Sequence, residues 1–93
     1  MADTKMENTV IAMTKKEAAA YEVKSIDRRI EQYNKIINES MRALELNMNN
    51  VYNVITFAPA YIERIKNAEA KIRELAENKE LLEYFVLSDE ENV

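Results

Sequence analysis

The chain has 93 residues, with 13 basic and 17 acidic side chains and a formal net charge of −4. Hydrophobic residues make up 47% and charged residues 32%, a balance that is typical of one small folded domain. Gly, His, Cys and Trp are all missing, so the chain has no thiol nucleophile, no disulfide and none of the usual ligands of a zinc site.

The segment 1–7 is polar and carries acids, so we do not expect a secretory signal peptide there. We expect a flexible N-terminal arm over 1–13, or a short helix there. The longest apolar runs are four residues, far shorter than a membrane span. These features predict a cytoplasmic protein, or one that is exported without a cleaved leader.

A helical hairpin is expected over 14–87, and its first helix begins at Thr14. Thr14 and Glu17 have the spacing of a capping box, in which each side chain accepts a hydrogen bond from the other residue's backbone N–H. A stripe of apolar residues follows in steps of three and four, which predicts one long amphipathic helix with a single extra-long step from Ile37 to Met41. The stripe comprises Val23, Ile26, Ile30, Tyr33, Ile37, Met41, Leu44, Met48, Val51 and Ile55.

Two segments compete as the bend of the hairpin. The segment 47–50 has three Asn in four residues, and Asn leaves the helical region readily and bonds its own backbone. The segment 56–59 ends in Pro59, which removes a backbone donor and disfavours helix at Ala58. The unbroken first stripe favours the later bend, whereas the equal arm lengths favour the earlier one, so the sequence leaves both open.

A second stripe, also in steps of three and four, predicts the second helix. It comprises Tyr61, Ile65, Ala68, Ile72, Leu75, Lys79, Leu82 and Val86. Lys79 is a charge at a core position, and such a residue can extend to the edge of a bundle or fix the register of a coiled coil. The final residues 88–93 are acidic and predict a solvated tail.

These elements predict an all-α chain that forms a long antiparallel hairpin and assembles into a four-helix bundle or a larger helical oligomer. Two helices bury one seam, and stripes this wide leave apolar side chains on the outer flank. We therefore expect either self-association or a helical partner protein. The predicted core residues are Ile30, Tyr33, Ile37, Leu44, Ile65, Ile72, Leu75 and Leu82, and the predicted outer flank is Ile36, Met41, Leu46, Ile62 and Leu81.

The acidic residues of the second helix are the catalytic-type groups present in number. Glu74, Glu77, Glu80 and Glu83 repeat the E-x-x-E spacing with which helical pyrophosphohydrolases hold magnesium. Repeated steps of three drift around a helix, however, and the first helix offers no facing acidic motif. We interpret these acids as a solvated face and predict a chain that is not an enzyme and has no cofactor or metal.

Basic residues concentrate at the start of the first helix. Lys24 and Arg28 share one face, and Arg29 lies beside them, so an anion could bind there. No nucleic-acid motif accompanies them and the chain is acidic, so we do not expect nucleic-acid binding. This basic group supports an alternative hypothesis, in which a small phage-type inhibitor or ligand-sequestering oligomer acts on a host factor.

Three aromatic residues, Tyr52, Phe57 and Tyr61, lie around the two candidate bends. They either fill the core at that end of the hairpin or anchor a partner protein, since aromatic side chains bring large rigid area to an interface.

The far end of the second helix carries a short signal. Phe85 is followed four positions later by Asp89. A hairpin of this length with that spacing resembles the WXG family of small helical partners in type VII secretion, and the helical proteins that escort LXG toxins. The chain departs from the family pattern because it has no Trp-x-Gly at the turn. The resemblance implies a type VII secretion partner in which Phe85 and Asp89 form the recognition pair.

Overall fold

The structure is a computed structural model that describes residues 13–88. Helix α1 spans Lys15–Asn47 and helix α2 spans Val51–Leu82, and a π-helical segment, Glu83–Leu87, extends α2. The two helices pack against each other extensively, which confirms the predicted all-α helical hairpin. The predicted N-terminal arm over 1–13 and the acidic tail over 88–93 lie outside the described residues, except for Met13 and Ser88.

Helix α1 begins at the predicted capping box. The Thr14 hydroxyl accepts a hydrogen bond from the Glu17 backbone N–H at 3.0 Å, and the Glu17 carboxylate accepts one from the Thr14 N–H at 3.1 Å. Both bonds satisfy donors that would otherwise lack a partner at a helix start. The bonds from Thr14 also hold the pKa of Glu17 below its ordinary value.

The bend lies at the Asn-rich segment. Met48 keeps a helical conformation and Asn50 is extended, with φ −123° and ψ 114°. The Asn50 side chain caps α2 by accepting hydrogen bonds from the N–H groups of Tyr52 at 2.9 Å and Asn53 at 3.3 Å. Residues 13–88 include no positive φ angle, so this bend needs no glycine.

Pro59 lies inside α2 and does not form the bend. It is the ninth residue of the helix, and its ring is exposed. The missing N–H leaves the carbonyl of Ile55 without its helical donor, which weakens the helix locally without ending it. The last two residues of the predicted first stripe, Val51 and Ile55, therefore lie in α2 and not in α1.

The seam of α1, meaning the residues that face α2, keeps a regular heptad spacing. The seam comprises Ala19, Val23, Ile26, Ile30, Tyr33, Ile37, Ser40, Leu44 and Asn47. The predicted extra-long step to Met41 is wrong, because the buried residue is Ser40, at 3% exposure, whereas Met41 is 49% exposed. Met48, Val51 and Ile55 are likewise exposed and do not belong to the seam. The small side chain of Ser40 lets the helices approach closely at this position. Regular heptad geometry then places the larger Met41 outside the seam.

The seam of α2 follows the predicted second stripe from Tyr61 to Val86 and extends back through Ala58 to Val54. All eight predicted core residues lie on the two seams and are buried or half-buried. Among the described residues, the fully buried hydrophobic side chains are Ala19, Ile26, Ala68 and Leu75. So small a core gives limited protection from water, because two helices cover only one side of each other.

Candidate interaction surface

Exposed apolar side chains concentrate in the half of the hairpin that contains the bend. Nine of the fourteen large hydrophobic side chains exposed among residues 13–88 lie between positions 36 and 62. All five residues of the predicted outer flank are exposed, which confirms that prediction. The nine are Ile36, Met41, Leu46, Met48, Val51, Tyr52, Ile55, Phe57 and Ile62.

Most of this half of the hairpin, from the end of α1 through the first part of α2, carries no charge. No charged residue occurs from Leu46 to Ile62, whereas the rest of both helices is densely charged. This uncharged segment of 17 residues was visible in the sequence. The periodicity placed Met48, Val51 and Ile55 on the first apolar stripe, so the sequence reasoning found only part of the exposed surface, at Leu46 and Ile62.

The register of the two helices is fixed along the hairpin by residues that share grooves. Ser40 and Tyr61 line one groove near the bend, and Ile26 and Leu75 line another near the open end. Continuing this register places Ile62 about two residues, or about 3 Å, beyond the level of Met41, and Ile55 the same distance beyond the level of Met48, so each pair lies side by side across the two helices.

These four residues occupy heptad position e on their helices, next to the seam. Because the helices are antiparallel, the e positions of both helices lie on the same broad face of the hairpin, which we call the e face. Its bend half carries Met41, Met48, Ile55 and Ile62, all exposed. Val51 and Tyr52, each 75% exposed, continue this apolar surface to the tip of the bend.

The other half of the e face is polar. Asp27, Glu69 and Glu83 lie there and are exposed. Lys79 lies in the α2 seam, and its Nζ is 2.8 Å from the Oδ1 of Asp27. The lysine side chain therefore extends from the seam toward this face and forms an ion pair between the two helices. The hydrogen bond and the negative charge of Asp27 raise the pKa of Lys79 above its ordinary value. The e face is therefore divided into an apolar half and a charged half.

The opposite broad face, the g face, carries heptad positions g. A groove of about 550 Å³ runs between the helices there and is lined by Ile36, Ala43, Tyr61 and Arg64 together with Glu39 and Ser40. The Arg64 guanidinium lies 5.7 Å from the centre of the Tyr61 ring. Its charge interrupts the apolar surface of this face, which makes the g face less uniform than the e face.

The three aromatic residues near the bend have different environments. Tyr61 is half-buried in the seam, as core filling requires. Tyr52 and Phe57 are exposed, at 75% and 47%. Only these two are accessible enough to anchor a partner, and the structure does not bring all three together.

The end of α2 carries a second, smaller aromatic group. Phe85 is 62% exposed within the π-helical segment, and its ring packs edge-on against that of Tyr84, with centroids 4.9 Å apart. The Ser88 hydroxyl donates a hydrogen bond to the Tyr84 carbonyl and closes this turn. Asp89, the predicted partner of Phe85 in a recognition pair, lies outside the described residues.

The predicted anion-binding residues lie on α1, away from the bend. Arg29 donates hydrogen bonds to the Glu22 carboxylate at 2.7 Å and to the Ser25 hydroxyl at 2.9 Å. Lys24 and Arg28 are exposed one turn apart on the same helix. Arg29 is thus engaged within α1, and anion binding by the other two stays a prediction.

The acidic residues of α2 lie apart from one another around the helix. Glu74, Glu77, Glu80 and Glu83 are all exposed, and Glu74 forms an ion pair with Lys71 at 3.9 Å. Within 13–88, no cluster of three or more acidic side chains could hold a metal ion. None of the helices in the described part of the chain is long and apolar enough to cross a membrane.

Comparison of the chain with protein-family models, with curated proteins and with solved structures found no significant match.

Proposed function

We propose that this protein is a non-enzymatic helical interaction module whose apolar bend half is buried against helices of another polypeptide. The observation that carries this proposal is the division of the surface. Nine large hydrophobic side chains are exposed over positions 36–62, and the chain has no charge from 46 to 62. An apolar patch of this extent typically marks an interaction site.

The small buried core supports the same function. With four fully buried hydrophobic side chains among the described residues, the isolated hairpin gains little from burial. Docking further helices on the exposed flank would cover the half-buried seam residues as well, as in a four-helix bundle. Folding stability and partner binding are then coupled, because the partner binds only the folded hairpin.

Light scattering on a size-exclusion column, over a dilution series of the purified protein, tests this function together with binding of the dye ANS. We expect either a discrete oligomer or a monomer that binds ANS strongly. In the first case the apolar surface is buried between copies of the chain, and in the second case it binds the dye. A helical monomer that binds no ANS would contradict the proposal.

A more specific version of this function is a partner in type VII secretion. The exposure of Phe85 at the end of α2 supports it, since a recognition signal must be accessible. In this version the bend half docks the cognate partner and the end of α2 presents the signal. The two roles lie at opposite ends of the hairpin, so substitutions at one end can be tested without disturbing the other.

A further inference from the structure

We infer that the occupant of the apolar e face is a second copy of this chain, packed e face to e face about a two-fold axis. This inference rests on the proposed function and names the partner that it leaves open.

The apolar half of the e face is self-complementary. Met41 and Met48 lie seven residues apart on α1, and Ile55 and Ile62 lie seven residues apart on α2, which is about 10.5 Å in each case. Because Ile62 lies near the level of Met41 and Ile55 lies near that of Met48, with the same small offset, the four side chains mark the corners of a slightly skewed rectangle. A two-fold axis in the plane of the face places this rectangle on an identical one, so every apolar side chain meets another.

The charged half of the e face selects the direction of the second copy. If both hairpins pointed the same way, Glu69 and Glu83 would be brought into the interface, and burying unpaired carboxylates is costly. If the hairpins point in opposite directions and overlap only at their bend halves, Asp27, Glu69 and Glu83 stay in water. The axis then runs across the hairpin, with α1 on α1 and α2 on α2.

This arrangement makes specific pairs. Ile55 lies against Ile62 of the second copy, and Met41 lies against Met48 of the second copy. Each pair occurs twice because of the two-fold axis. Tyr52 and Val51 at each tip cover the edge of the partner's patch.

The available area is sufficient for a stable dimer. The six side chains Met41, Met48, Val51, Tyr52, Ile55 and Ile62 are between 44% and 75% exposed. Together they present on the order of 800 Å², which is the area per partner that a standard stable interface buries. The six side chains are uncharged, and the charge nearest to them on α1, Glu45, is exposed at the edge of the patch between Met41 and Met48.

Disulfide cross-linking tests the arrangement directly, because the chain has no cysteine of its own. In the variant with Ile55→Cys and Ile62→Cys, the two thiols of one chain are about 10.5 Å apart along the helix, too far for a disulfide within the chain. Oxidation is expected to give a covalent dimer on a non-reducing gel. The matched control, Ala76→Cys with Glu83→Cys, has the same spacing on the same face of α2 and is expected to stay monomeric on the gel.

Light scattering with charge substitutions tests which face is buried. Ile62→Glu is expected to weaken the dimer about a hundredfold or more, because the axis places the new charge in the interface twice. Ala76→Glu, on the charged half of the same face, should leave the dimer unchanged. Circular dichroism confirms that each variant keeps its helices.

The outcomes separate this inference from the proposed function. Dissociation by Ile36→Glu on the g face but not by Ile62→Glu would overturn the e-face dimer and leave the interaction module standing. A wild-type monomer that binds ANS would do the same, whereas a monomer that binds no ANS would overturn both. A wild-type dimer whose first cysteine pair fails to cross-link, or cross-links no better than the control, would overturn the opposed orientation.

Discussion

Lys79 and Asp27 form an ion pair between the two helices, with Nζ and Oδ1 2.8 Å apart. Lys79 occupies a seam position where the neighbouring turns carry Leu75 and Leu82. The pair therefore links α1 to α2 at the open end and supports the register in which Lys79 lies beside Asp27.

Stability is expected to fall at alkaline pH through this pair. Because folding raises the pKa of Lys79 above its ordinary value of 10.5, the pair stabilises the hairpin fully below that value. This stabilisation is lost as the pH rises through the higher folded-state pKa. Thermal melts between pH 9 and 12 should show a larger decrease in Tm for the wild type than for Lys79→Met, in which all other groups titrate equally. Equal decreases would show that the pair contributes nothing.

The capping box at the start of α1 predicts the opposite pH dependence. The pKa of Glu17 is lowered by its hydrogen bonds with Thr14, so the box stabilises α1 above the ordinary pKa of 4.5 and is lost as the pH falls through the folded-state value. Thr14→Ala keeps the backbone N–H, which is the larger cause of the lowered pKa, and removes the hydroxyl. It should therefore raise the pKa of Glu17 only part of the way to its ordinary value and cost about 1 kcal/mol of stability. NMR titration of the Glu17 carboxyl checks the first effect and urea unfolding the second. An unchanged Glu17 titration in Thr14→Ala would contradict the capping role.

Ile26 is the most buried large side chain, at 2% exposure, and its truncation is expected to be severe. Ile26→Ala should lower the free energy of unfolding by about 2 kcal/mol or more, because it removes buried methyl groups and leaves a cavity. The control Ile36→Ala, at a site that is 37% exposed, should cost well under half as much. Urea unfolding at a single fixed protein concentration measures both, and similar losses would place the core elsewhere.

Pro59 lies inside α2, so replacing it should stabilise the helix. Pro59→Ala restores the N–H that the Ile55 carbonyl lacks and removes the clash of the ring with the preceding turn. We expect a gain of about 1 kcal/mol or more, with Pro59→Gly gaining about 1 kcal/mol less because of its low helix propensity. Urea unfolding measures the order of the three proteins. A loss of stability in Pro59→Ala would mean that the proline serves the packing of the hairpin.

The secretion version of the function predicts an effect at the far end of α2. Phe85→Ala and Asp89→Ala should each abolish recognition by the secretion machinery while helix content stays unchanged. Tyr84→Ala is the matched control, because it removes an equally exposed neighbouring ring. Export assays in the presence of the secretion machinery test this prediction. Normal export of both variants would contradict the role in secretion.

The sequence predicted the α2 seam correctly because every position of its stripe except Lys79 is apolar. It predicted the α1 seam wrongly at Met41, since hydrophobicity alone prefers Met41 to the smaller Ser40, although regular heptad spacing requires position 40. It also extended the stripe through Met48, Val51 and Ile55, which are exposed. The choice between the two bends depended on whether the first helix ends at the Asn-rich segment or at the proline. The caps formed by Asn50 decided it, and a proline on an exposed helix face proved tolerable.

The candidate surface could not be predicted in the same way. Its four central residues lie on two helices, and they share a face only in the register that the packed hairpin adopts. Sequence periodicity placed Met41, Met48 and Ile55 on the first apolar stripe, because such a stripe has the same spacing whether it faces a partner helix or the solvent. Met41 and Ile62 were also predicted on the outer flank, but the sequence did not show that they lie beside each other. The absence of charge from 46 to 62 was the one local signal of an exposed surface.

The bend at Asn50 also determines the order in which the hairpin folds. Contacts nearer the bend, such as those in the groove that Ser40 and Tyr61 share, close shorter loops and lose less chain entropy, whereas Lys79 with Asp27 closes a loop more than twice as long. The helices are therefore expected to zip from the bend toward the open end, on the microsecond-to-millisecond timescale of helical proteins with mostly local contacts. The apolar half forms first in this sequence of events. A hairpin that is still folding would therefore expose its apolar bend half before its charged half has formed.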